Sequence, residues 1–156
     1  MNFEHLVVIN DPADPALGEL TREELWFGLL CRAEDPRAFL PGLETCTIVE
    51  RSDMELVREL KFGAAVIRDR VTLVPMESVR FESERTESHA GGTLTIAIEE
   101  PAPGQLVLRF RYLTTLPDDA GSPDRAYVEY VKSAYHQSDL DTVRVIRMIA
   151  ESTRFQ

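Results

Sequence analysis

A chain of 156 residues, 44% hydrophobic and 28% charged, has the length and composition of one globular domain (residues 1–156) with a sizeable core. Seventeen Lys and Arg against 27 Asp and Glu give a formal charge of −10 with no basic run, so nucleic acid and anionic lipid surfaces make poor partners. No stretch of about 20 apolar residues could span a bilayer, and "MNFEHLVVIND" reads as a strand rather than a secretion signal, so no membrane contact and a cytoplasmic location are expected.

Residues 2–9 form a first strand, ended by Asn10-Asp11-Pro12. A Pro-, Asp- and Gly-rich loop leads to a helix signed by Thr21 at the N-cap, Glu24 for a capping box, and Leu20 with Leu25 as a hydrophobic staple. Leu25, Trp26, Leu29 and Leu30 give it an apolar stripe, and Pro36 stops it. "DPRAFLPG" then predicts a second, very short helix with Asp35 as cap and Pro36 at its first position.

From Leu43 to Leu116 the pattern has period two, cut by turn signals at 51–53, Gly63, 75–78, Gly91–Gly92 and 101–104. Six strands fit, over 43–50, 54–62, 65–74, 78–84, 93–99 and 105–115, and the short turns between them predict an antiparallel meander. After "PDDAGSPD" the period becomes 3.6, and residues 124–152 read as one long helix. Tyr127, Val131, Ala134, Tyr135, Ser138, Thr142, Val145, Ile146 and Ile149 are placed on its apolar stripe. Glu129, Lys132, His136, Asp139, Arg144 and Arg147 are placed on its wet side. "SDLD" at 138–141 offers an alternative cap and a kink, but the stripe runs on through it.

The order is that of an α+β chain, with one seven-stranded antiparallel sheet whose apolar face is covered by the long C-terminal helix. A curved sheet held against one helix leaves a hollow between them. The hairpin at 54–73 tells which side chains face it. A turn between Gly63 and Ala64 pairs Phe62 with Ala65, Leu60 with Ile67, Arg58 with Asp69, Leu56 with Val71 and Met54 with Leu73. One pair on this apolar face is therefore charged. At the sheet's rim it would contribute a few tenths to about 1 kcal/mol; inside the cavity it would be a polar anchor for a ligand.

Alternation brings Val79, Phe81, Leu94, Ile96, Ile98, Leu106, Leu108, Phe110 and Tyr112 to the same face, where most are simply core. The buried phenol of Tyr112 needs a hydrogen-bond partner. Ser138 and Thr142 either bond to the preceding helical turn or point into the hollow. Leu56, Leu60, Phe62, Ile67, Val71, Phe81, Ile96, Leu108, Phe110, Tyr112, Tyr127, Val131, Ser138 and Thr142 are thus the candidate ligand contacts, and Asp69 with Arg58 the candidate catalytic groups.

Cys31 and Cys46 lie on different elements without Cys-x-x-Cys spacing and read as two reduced thiols. His5, His89 and His136 are scattered, with only His5 able to face inward, so no metal, no cofactor and no Ser-His-Asp triad is expected. "HAGG" at 89–92 has no following helix and is no phosphate loop.

The element order resembles the helix-grip fold of the START and birch-pollen-allergen (SRPBCC) superfamily. More narrowly, "LTREELWFGLLCRAEDPRAFLPGLETCTIVER" and "SDLDTVRVIRMI" are similar to the AtaL-like family, with the likeness covering essentially the whole chain. The resemblance implies a cavity for a small hydrophobic molecule and carries no catalytic signature; the family's named member belongs to a fungal secondary-metabolite pathway. Three functions fit. The first is a carrier or sensor of a small hydrophobic or aromatic molecule. The second is a cyclase, dehydratase or isomerase on a polyketide-like metabolite. In that enzyme Asp69 would be acid or base, and Arg58 or Tyr112 would stabilise an enolate oxygen. The third is a module whose acidic surface binds a basic protein.

Overall fold

The computed structural model describes residues 1–86, 91–115 and 125–155. The strands are β1 (Asn2–Asn10), β2 (Thr45–Arg51), β3 (Glu55–Phe62), β4 (Ala65–Val74), β5 (Ser78–Ser83), β6 (Gly92–Glu99) and β7 (Leu106–Thr114). Helix α1 (Arg22–Glu34) lies between β1 and β2 in the chain, and α2 (Arg125–Arg154) follows β7. All six strands of the meander lie within two residues of their expected bounds. The expected turn around His89, the "PDDAGSPD" stretch and the helix start at residue 124 lie outside the described residues.

Local signals explain the elements near the site. Thr21 and Glu24 close a reciprocal capping box at the start of α1, with Glu24 N donating to Thr21 Oγ1 at 3.0 Å and Thr21 N to Glu24 Oε1 at 2.9 Å. The second expected helix shrinks to a single 3₁₀ turn, Pro36–Ala38. Gly63 turns the β3–β4 hairpin with φ of 60°, a conformation that favours glycine.

The strands form one curved antiparallel sheet in the order β1-β7-β6-β5-β4-β3-β2. The register of β3 with β4 is the one read from the hairpin, Arg58 opposite Asp69, Leu60 opposite Ile67 and Leu56 opposite Val71. One face is dry: Leu56, Val71, Val79, Phe81, Ile96, Leu108 and Phe110 belong to the core. Leu6, Val66 and Leu113, on the other face, are exposed. Both helices pack together where α1 offers Gly28; a Cβ there would lie 2.6 Å from Ile146 Cγ2 of α2.

Helix α2 is unbroken through residues 138–141, but its inward line differs from the expected one. Val128, Asp139, Thr142, Val143, Val145, Ile146 and Ala150 are buried, whereas Tyr127 and Ala134 are exposed. Only Val128 is buried in the first three turns, so the face is set by the C-terminal half of the helix. The line that half defines runs back through Asp139 to Tyr135 and Val128, which puts Asp139 inside rather than in water. Among the described residues no helix is long and apolar enough to cross a membrane.

Candidate ligand cavity and its polar walls

The cross-strand pair is made in full and is not at a wet rim. Arg58 Nε and Nη2 donate to Asp69 Oδ1 and Oδ2 at 2.8 and 2.6 Å, and the two residues are 1% and 3% exposed. Arg58 Nη1 donates to the carbonyl oxygens of Arg32 and Ala33 at 3.1 and 3.0 Å. Those carbonyls belong to the last turn of α1, where acceptors have no intrahelical partner and carry the negative end of the helix dipole. The pair therefore ties the hairpin to the end of α1.

Arg32 is itself the second buried cation, 5% exposed. It lies on the inward stripe of α1 with Leu25, Gly28, Leu29 and Ala33. Its Nε donates to Thr142 Oγ1 of α2 at 3.4 Å, and its Cζ stands 4.7 Å from the Phe81 ring centre, with Arg58 Cζ 5.1 Å from the same ring. Among the described residues it forms no ion pair. Burial pushes its pKa down, opposed by the phenol of Tyr112 and the carboxyls of Asp139 and Asp69. A desolvated cation–π contact contributes about 2 kcal/mol, whereas removing an ion from water costs several. The Arg32 charge is under-compensated by its protein surroundings.

Between the sheet and the helices lies a recess of about 230 Å³. Leu60 and Phe62 of β3, Ile67 of β4, Phe81 of β5 and Leu94 of β6 supply its apolar wall, and Arg32, Arg58 and Asp69 its polar one. Tyr112 of β7 and Tyr135 of α2 also line it, stacked with ring centres 3.9 Å apart and planes at 7°.

Behind Tyr112 is a second polar cluster. The Tyr112 hydroxyl donates to Asp139 Oδ1, and His5 Nε2 is hydrogen-bonded to Asp139 Oδ2 at 2.8 Å, so the fully buried carboxyl joins β7, β1 and α2. Burial raises the Asp139 carboxyl to about 7, although the Tyr112 hydrogen bond and the Arg32 charge pull it the other way. Burial, then the Asp139 charge, raises the Tyr112 phenol far above its ordinary value. Burial and nearby His136 lower the His5 imidazole. The His5 ring lies 4.6 Å from that of His136, centre to centre, and His136 is exposed. The buried Nδ1 of His5 has no partner among the described residues.

Of the residues singled out from sequence, Arg58, Leu60, Phe62, Ile67, Asp69, Phe81 and Tyr112 are brought together around the recess. Leu56, Val71, Ile96, Leu108 and Phe110 are packed in the core beside it. Tyr127 is 56% exposed; Val131 and Ser138 are half-buried and are not among the described lining residues. Thr142 is buried and faces α1, where it accepts from Arg32. Sequence reasoning missed Arg32, Asp139 and the lining role of Tyr135. The spacing of Arg32 from Leu25 and Leu29 was a usable signal for the first.

A model of the family described as acetylaranotin biosynthesis cluster protein L (AtaL) matches residues 7–153. No curated protein matches the chain. Among solved structures it is similar to the ZhuI aromatase/cyclase from Streptomyces sp. R1128, at 18% identity and TM-score 0.63 over 97% of this chain and 93% of that one. It is also similar to the di-domain ARO/CYC StfQ from the steffimycin biosynthetic pathway, at 16% identity and TM-score 0.68. That match covers 99% of this chain and 52% of StfQ, so the chain spans about half of the di-domain protein. Human STARD10 aligns at 9% identity and TM-score 0.66 over 99% of this chain and 66% of that one. Such identities speak for the fold alone. With its family match over residues 7–153 and its curved sheet gripped by a long C-terminal helix, the chain belongs to the AtaL family, on the START-like helix-grip (SRPBCC) fold.

Proposed function

We propose that the protein binds a small, planar, largely apolar molecule in the recess between the sheet and the helices, as a carrier or sensor. The observation that carries this reading is the recess itself, about 230 Å³ with an apolar wall, a stacked tyrosine pair and a buried polar side. An empty apolar cavity of about 150 Å³ is enough to take up benzene, so this volume suits a molecule of one or two rings. The apolar wall supplies affinity and the few polar groups supply orientation. STARD10 and the allergen Ara h 8.0201 share the fold without sharing the sequence, and they support the reading only at that level. Native mass spectrometry of the purified protein, followed by extraction, is the test: a retained aromatic or lipid-like molecule is expected, and its loss in a cavity-filling Leu60→Trp variant. A protein that retains nothing and takes up no aromatic probe would sink the proposal.

A second reading is an enzyme working in the same recess, a cyclase, dehydratase or isomerase on a polyketide-like metabolite. It is favoured by Asp69 and Tyr112 lying on the wall and by the names of the two ARO/CYC neighbours. Asp69 would act as acid or base, and Arg58 or Tyr112 would stabilise an enolate oxygen. Both Asp69 oxygens accept from Arg58, so proton transfer would use the lone pairs that those two bonds leave free. Unchanged turnover of an identified substrate by Asp69→Asn removes Asp69 from the mechanism.

A further inference from the structure

Among the described residues two cations have less than a tenth of their surface exposed, Arg58 and Arg32, and they are satisfied very differently. An arginine carries five N–H donors. Arg58 makes four hydrogen bonds, two to a carboxylate and two to carbonyls. Arg32 makes one, a long bond from Nε to Thr142 Oγ1. Its two terminal nitrogens have no partner among the described residues, and the side chain lines the recess.

No carboxylate of the described residues forms an ion pair with it. Asp69 is taken by Arg58 through both oxygens, and Asp139 is taken by Tyr112 and His5. Burial also keeps the Asp139 carboxyl partly protonated near neutrality. The polar wall of the recess thus carries one positive charge in excess, beside Phe81, in a recess that the tyrosine stack also lines. A guanidinium fork matches the two oxygens of a carboxylate, and such charge-assisted pairs are the strong hydrogen bonds of buried sites.

We infer that Arg32 is an oxyanion-binding anchor in the recess, and that the molecule bound there is a planar aromatic compound carrying a carboxylate. The inference rests on the recess being a ligand site, and adds to it the charge and shape of the ligand. The overall formal charge of −10 works against anions at long range. At about 0.1 M salt, however, charges beyond about 10 Å are screened, and the local excess at Arg32 decides.

The test uses two probes of matched shape, 2-naphthoate and the neutral 2-naphthamide, titrated calorimetrically into the whole protein near neutral pH at moderate salt. Wild type is expected to bind the acid about tenfold or more tightly than the amide, as a charge-assisted bond implies. Arg32→Gln is expected to bind both alike. Equal wild-type affinities for the two probes would overturn the anchor and leave the recess standing as a neutral pocket. A preference for the acid that survives in Arg32→Gln would also overturn it, since another cation would then be responsible. Binding of neither probe would overturn the anchor and the ligand-site reading together. Should Arg32→Gln fail to fold, the wild-type comparison decides alone, with Arg32→Lys expected to retain part of the preference.

Discussion

Arg58 and Arg32 stand over the same phenylalanine ring, both almost wholly removed from water, yet they do opposite things with their donors. Arg58 is closed: its fork grips Asp69 and its remaining nitrogen holds the end of α1. Arg32 is open, with one long bond and an aromatic neighbour. Burial cannot separate a structural charge from a ligand-seeking one, because it costs both the same desolvation. Donor-by-donor accounting separates them.

The largest effect that would break this contrast is at Arg58. Arg58→Ala leaves Asp69 charged and unpaired and frees two carbonyls of α1; a loss of about 3–5 kcal/mol is expected in urea unfolding. Replacing the pair together, Arg58→Met with Asp69→Leu, should recover much of that loss, since apolar substitutes for a buried pair are often neutral or better. A cost for Arg58→Ala below about 1 kcal/mol would mean the brace is not structural. Arg32→Met is the counterpart. It removes an under-compensated charge, so unfolding stability should change by less than about 1 kcal/mol or rise. If it instead matched the cost of Arg58→Ala, the two arginines would be doing the same job.

A further contrast is a pH dependence through Asp139, whose carboxyl the Arg32 charge pulls down against burial. Its carboxyl is at about 7 in the folded protein and at about 3.9 in an unfolded chain. The fold therefore binds the proton more tightly, and this contribution is fully present below about pH 4 and lost as pH rises to about 7. The lowered His5 works with the opposite sign, losing stability as pH falls below its ordinary range of about 6.5. Asp139→Asn should flatten the decline toward pH 7, measured as urea midpoints across pH 4 to 8. In Arg32→Met the decline should shift to higher pH, because one influence lowering the Asp139 carboxyl is gone.

The sheet was legible because period-two alternation fails visibly when misread. Shifting the β3–β4 hairpin by one residue would have put Glu59 and Arg68 inside and Leu60 and Ile67 in water, so Arg58 opposite Asp69 followed from counting. Capping chemistry placed the start of α1 in the same way. Helix phase was less secure. The first turns of α2 carry large aromatic residues that are exposed, and a stripe drawn through Tyr127 pushed Asp139 to the wet side. A turn spans about 3.6 residues, so a one-residue error rotates a face by about 100°. Arg32 escaped notice for another reason. An arginine at the end of a helix is usually read as complementing the dipole from the surface, and only the packing of α1 against α2 and Phe81 shows that it turns inward.

One of the carbonyls that Arg58 holds is that of Arg32 itself. The brace grips the backbone of residue 32 and leaves its side chain to the recess. A position fixed through its main chain is one where the side chain can change without loosening the scaffold. Related chains that keep the pair at 58 and 69 could exchange the residue at 32 and so alter which molecules they accept, a route by which ligand preference diverges while the architecture is inherited intact.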